Sequence, residues 1–97
     1  MNTAIKQKPL RDDKYLRWVK SLPSVVSGRQ ADDPHHLIGH GQSGMGTKVT
    51  DYWTFPLTRD EHTELHNMGY KEWEKIYGEQ WKFVAQTMYL AKIEGVL

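Results

Sequence analysis

The chain has 97 residues, a formal net charge of +1 and no cysteine. Its length allows one compact domain and not two with separate cores. The missing thiols exclude disulfides, thiolate zinc sites and cysteine nucleophiles, so any metal must be held by His, Asp, Glu or water.

Residues 1–10 lack periodicity, carry Pro9 near their end and are expected to form a flexible basic arm, with residues 11–97 as a single domain. Lys6, Lys8, Arg11, Lys14, Arg17 and Lys20 crowd the first twenty positions against Asp12 and Asp13, which suits an anionic partner and equally suits the solvated face of a helix. The start of the chain has no apolar leader, and no apolar run approaches the ~20 residues of a membrane helix. A cytoplasmic protein that makes no use of a membrane is expected.

Asp12 or Asp13 can cap a first helix, because Tyr15, Trp18, Val19 and Leu22 recur at helical spacing before Pro23 stops it. Ser24–Gly28 reads as a short strand running into a turn, and Asp33-Pro34 as a second turn. His35–Ile38 is extended in character. Gly39, Gly41, Gly44 and Gly46 mark a flexible loop containing His40, which has no assigned partner. Tyr52–Leu57 is aromatic and β-prone, with Pro56 at the strand's edge or end. Thr58-Arg59-Asp60-Glu61 fits a capping box, so a helix starts near Arg59 and ends at Asn67 or Gly69. Another helix is expected over Tyr70–Tyr77. A last one runs from Glu79, with Trp81, Val84, Met88 and Ala91 along a core-facing stripe. Four Trp, five Tyr and two Phe supply the bulk that a small core needs. The elements together predict an α+β fold.

Four of the five histidines fall into two pairs. His62 and His66 stand four apart on a helix, so their rings share one face and can converge on one ion, although such pairs also occur on exposed faces. His35 and His36 are neighbours on a strand. A regular strand would send them to opposite faces, leaving one satisfied in the interior and one solvated.

The order of these pieces is more specific than any one of them. Asp33-Pro34-His35-His36-Leu37-Ile38, Asp51-Tyr52-Trp53-Thr54-Phe55-Pro56-Leu57 and Arg59-Asp60-Glu61-His62-Thr63-Glu64-Leu65-His66 span about a third of the chain. Together they resemble the HNH, or His-Me finger, endonucleases, and among these the small phage and prophage nucleases related to the recombination-enhancing Ref protein. The resemblance implies a ββα-metal finger, a β-hairpin plus helix, flanked by an N-terminal helix and C-terminal helices. It implies His35, His62 and His66 as ligands of one divalent ion, and His36 as general base. Mg²⁺ or Mn²⁺ would support activity, and Zn²⁺ or Ni²⁺ could occupy the same site.

Two positions depart from the family pattern. Trp53 stands where an Asn is usual, which leaves Asp51 as the nearest polar residue to orient the base. Where many members carry two Cys-x-x-Cys pairs, this chain has Ser24-x-x-Ser27 and Thr58-x-x-Glu61, so no structural Cys zinc site is expected. Lys48, Arg59 and Arg29 flank the site and are candidates for phosphate contact, each equally well explained as a surface charge. The implied function is a metal-dependent DNA endonuclease of low sequence specificity in phage or prophage recombination, with a recombinase as candidate partner and a homodimer left open. The alternatives are a decayed HNH-fold module that binds DNA or protein, and an all-helical interaction protein with incidental histidines.

Overall fold

The structure is a computed structural model that describes residues 10–39 and 49–97. In chain order it runs α1 (Asp13–Lys20), β1 (Asp33–His36), β2 (Thr54–Leu57), α2 (Arg59–Met68), α3 (Tyr70–Tyr77) and α4 (Gln80–Ile93). The fold is α+β, with one antiparallel hairpin as its sheet. Among the described residues no helix is long and apolar enough to cross a membrane. The glycine loop from His40 to Lys48, and the arm up to Pro9, lie outside the described residues.

Asp12 caps α1 by accepting a hydrogen bond from the Tyr15 amide at 3.0 Å. Tyr15 and Val19 then bury against Ala91 of α4, with Trp18 and Tyr52 packed around them. Thr58 opens α2 with the full capping box: its hydroxyl accepts from the Glu61 amide, and the Glu61 carboxylate accepts from the Thr58 amide at 2.8 Å. Gly69 and Gly78 close α2 and α3 at positive φ.

The hairpin pairs Asp33 with Leu57, Pro34 with Pro56, His35 with Phe55 and His36 with Thr54. Two prolines can face each other because the ladder alternates. Leu37 donates to the Trp53 carbonyl at 2.9 Å, which puts Pro34 and Pro56 at a pair that exchanges no hydrogen bonds. The same alternation sends His35 and Phe55 to one face, where Phe55 meets Trp73 and Phe83. Leu37, Leu57, Leu65 and Val84 complete that main core.

Several local expectations are corrected here. Ser24–Gly28 is a turn and not a strand: the Ser24 hydroxyl accepts from the Val26 and Ser27 amides, Gly28 adopts φ 77°, and Ser24 pairs with Arg29 across the turn. Ser hydroxyls that capture nearby amides compete with strand pairing in this way. Asp33-Pro34 belongs to β1, consistent with the extended backbone favoured before proline. Tyr52 and Trp53 precede β2 and lie outside it, whereas Pro56 stands next to its last residue in an edge strand, as expected. On α4 the buried positions are Gln80, Phe83, Val84, Thr87 and Ala91, whereas Trp81 is half-exposed against Trp53. The true stripe includes two polar residues, and helical periodicity of apolar residues does not register those.

Ser24, Ser27, Thr58 and Glu61 meet at one corner. The Ser24 hydroxyl donates to the buried Glu61 carboxylate at 2.6 Å. Burial pushes the Glu61 carboxyl up, but hydrogen bonds from Ser24, Ser27 and Thr58 outweigh it and hold the pKa below the usual value. Ser24→Ala should therefore destabilise the domain by about 1–3 kcal/mol in urea unfolding, since a buried charge loses a donor. A change near zero would mean that this hydrogen bond does not brace the corner.

Candidate metal centre

β1 and α2 bring three imidazoles together. His35 is 1 % exposed, and its ring centroid lies 5.0 Å from that of His62 and 5.6 Å from that of His66. His62 and His66, one helical turn apart, are 4.9 Å apart. One ring nitrogen from each of the three lies within 4.8 Å of the others. Leu65, on the same turn, anchors this face of α2 in the core.

Two of the three rings are held by a second partner. The His35 Nε2 hydrogen-bonds the Gln80 Oε1 at 3.0 Å, while its Nδ1 is buried and finds no hydrogen-bond partner among the described residues. The His62 Nδ1 faces the Asp33 carboxylate at 3.1 Å. Asp33 is itself clamped by Arg59 through two bonds of 2.8 Å, to Nε and one terminal nitrogen. That clamp, together with His62, outweighs the effect of burial and lowers the Asp33 pKa. An ionised carboxylate only accepts, so Nδ1 of His62 carries the proton and Nε2 is left with its lone pair. The residues present fit a divalent ion: one ring nitrogen from each of three imidazoles converges, His35 keeps an orphaned buried Nδ1, and two of the rings are oriented by second partners, as is usual for metal-bound histidine.

His36, the next residue of β1, is not one of the three converging rings. Its Nε2 meets the Asp51 Oδ1 at 2.9 Å. Asp51 is 2 % exposed and also accepts from Arg11 at 2.9 Å and from the Asp12 amide at 2.7 Å. Burial raises its pKa, but hydrogen bonds from His36, Asp12 and Arg11 outweigh that and keep it below the usual range. The ionised Asp51 therefore holds a proton on Nε2 of His36, so that in the neutral ring the lone pair lies on Nδ1.

Of the proposed phosphate contacts, Arg59 has its guanidinium engaged by Asp33. Arg29 lies 3.6 Å from Glu61 in a groove also lined by Asp60 and Glu64, an acidic setting ill suited to phosphate. Lys48 and His40 lie outside the described residues. Sequence reasoning missed Asp33, Gln80 and the link from Arg11 to Asp51. Asp33 was legible in principle, because it precedes His35 by two and so shares its strand face. Gln80 and Arg11 reach their partners across 45 and 40 positions, and no local pattern marks them.

Burial pushes the His35 imidazole down to about 3, with the neighbouring His62, His66 and His36 adding to the effect against the Gln80 hydrogen bond. Unfolded His35 titrates near 6.5, so below that pH the unfolded state binds the extra proton. Stability from this group is complete above pH 6.5 and falls as the pH drops towards 3. Metal-free protein should lose up to about 1.4 kcal/mol per pH unit from His35 between pH 6 and 5. That window lies above the acid range where Asp33, Asp51 and Glu61, whose pKa values are lowered, lose their own contributions. Urea unfolding in EDTA checks the slope, and His35→Phe should reduce it, leaving the share of His66, whose imidazole burial also pushes down.

The class so defined is an α+β domain with a three-histidine cluster that includes one residue of a hairpin strand and a His–carboxylate pair formed by the next residue of that strand. The chain belongs to the family described as "Protein of unknown function (DUF968)", whose model matches residues 3–95. It is also 48% identical over 85 residues to "Uncharacterized protein YdfU" of Escherichia coli (strain K12), an alignment covering 88% of this chain and 24% of that protein. The chain thus spans about a quarter of that relative's length. No match was found among solved structures.

Proposed function

We propose that this domain is a metal-dependent phosphodiester hydrolase acting on DNA. The observation that carries the reading is the placement of His35 in a three-histidine cluster while the adjacent His36 is paired with a buried, ionised Asp51. His35, His62 and His66 would hold one divalent ion, which when bound neutralises charge growing on the phosphate and on the leaving oxygen. His36 acts as general base: Nδ1 takes a proton from water, the water oxygen attacks phosphorus, and the P–O bond to the leaving group breaks. Asp51 stabilises the imidazolium that forms, and Arg11 compensates the carboxylate's charge when His36 is neutral.

The resemblance to the HNH nucleases supports the choice of DNA and, by analogy alone, a place in phage or prophage recombination beside a recombinase in the cytoplasm. Low sequence specificity accompanies the reading, because contacts to the phosphate backbone carry little sequence information. Nicking of supercoiled plasmid with Mg²⁺ or Mn²⁺, with and without EDTA, tests it. Nicking that depends on metal and on His36 is expected. Metal bound at the cluster with no nicking would favour a non-catalytic binding module.

A further inference from the structure

Gln80 is fully buried at the first turn of α4, where an amide side chain contributes nothing to apolar packing. All of its polar groups are used. Its Nε2 donates to the Ile38 carbonyl at 2.9 Å and faces a Glu74 carboxylate oxygen at 3.4 Å. Its Oε1 accepts from the Ile38 amide at 3.2 Å. Glu74 also accepts from the Gln80 backbone amide at 2.9 Å, which ties the start of α4 to α3.

These contacts leave the amide one orientation. A carbonyl and a carboxylate oxygen lie on its nitrogen side, and an obligate N–H donor lies on its oxygen side, so a flip would set acceptor against acceptor and donor against donor. The atom that meets His35 Nε2 is therefore an acceptor. His35 must carry its proton on Nε2, and the lone pair falls on Nδ1, the buried atom without a partner among the described residues.

We propose that Gln80 is a positioning residue that locks His35 as the Nε2–H tautomer and so makes Nδ1 the nitrogen offered to a transition-metal ion. The inference rests on the reading of the three-histidine cluster as a metal centre. Its device differs from that of the second ligand: a neutral amide orients His35, whereas a carboxylate orients His62. Without Gln80, the Nδ1–H tautomer would become accessible and would put a proton on the nitrogen that otherwise offers the free lone pair. An ion would then have to displace that proton before binding.

Long-range ¹H–¹⁵N spectra of the metal-free wild-type protein near neutral pH report the tautomer directly, with zinc affinity by calorimetry as the second readout. His35 protonated at Nε2 and bare at Nδ1 is expected; His35 protonated at Nδ1 overturns the proposal. Gln80→Leu should produce a mixture of tautomers and weaken zinc binding by about 10–100-fold. A folded Gln80→Leu that keeps both the tautomer and the affinity also overturns it. Should that variant fail to fold, the wild-type spectrum still decides. Wild-type protein with the expected tautomer and no zinc uptake supports the positioning role and overturns the metal-centre reading alone.

Discussion

His36→Ala is expected to lower metal-dependent plasmid nicking by about 10²–10⁴-fold, the range removed with a general base. The variant should keep its fold and its metal, because the His36 side chain is 36% exposed and stands apart from the His35, His62 and His66 cluster. Asp51→Asn probes the same step from behind. An amide in that place brings no charge to stabilise the imidazolium and can present an N–H to the ring, which would reverse the tautomer. Nicking should fall, with part of the effect coming through stability, since Asp51 also anchors Arg11 and the Asp12 amide. His36→Ala protein that nicks as fast as wild type would remove His36 from the mechanism.

The second large effect concerns the ion. Ligand that binds only the folded state at a free concentration of about 100 times its Kd stabilises by about 2.7 kcal/mol. For a domain near this size that corresponds to a rise in Tm of roughly 10–20 °C. Zn²⁺ or Mn²⁺ should raise the melting temperature of wild-type and His36→Ala protein alike, and EDTA should reverse the rise. His62→Ala combined with His66→Ala should abolish it, because two of the three donors are gone while the core residue Leu65 between them is untouched. An equal rise in that double variant would place the ion elsewhere, and no rise in the wild type would leave the histidine cluster without its proposed ligand.

The elements read most accurately from sequence are those specified by neighbours in the chain. Asp12 caps α1, the Thr58–Glu61 box opens α2, and Gly69 and Gly78 end α2 and α3 where a left-handed or extended glycine suits a stop. The misread segment is Ser24–Gly28, whose two valines suggest a strand while the Ser24 hydroxyl captures the amides that a strand would pair. The α4 stripe holds at Val84, Met88 and Ala91 but omits Gln80 and Thr87, which are buried because each finds its hydrogen bonds indoors, and hydropathy cannot register that.

The site divides along the same line. That His62 and His66 share a face follows from helical geometry alone, and that His35 and His36 part company follows from the strand's period of two. Which of the two joins the helix, and what supports each ring, is decided by tertiary structure. The hairpin register and the docking of α2 turn His35 inward, while His36 pairs with Asp51. Asp33, Gln80 and Arg11 take up their partners only once β1, α4 and the N-terminal segment have packed together. The physical reason is that tautomer and orientation depend on single hydrogen bonds between residues far apart in the chain, whereas caps, faces and periods depend on residues within about one turn of each other.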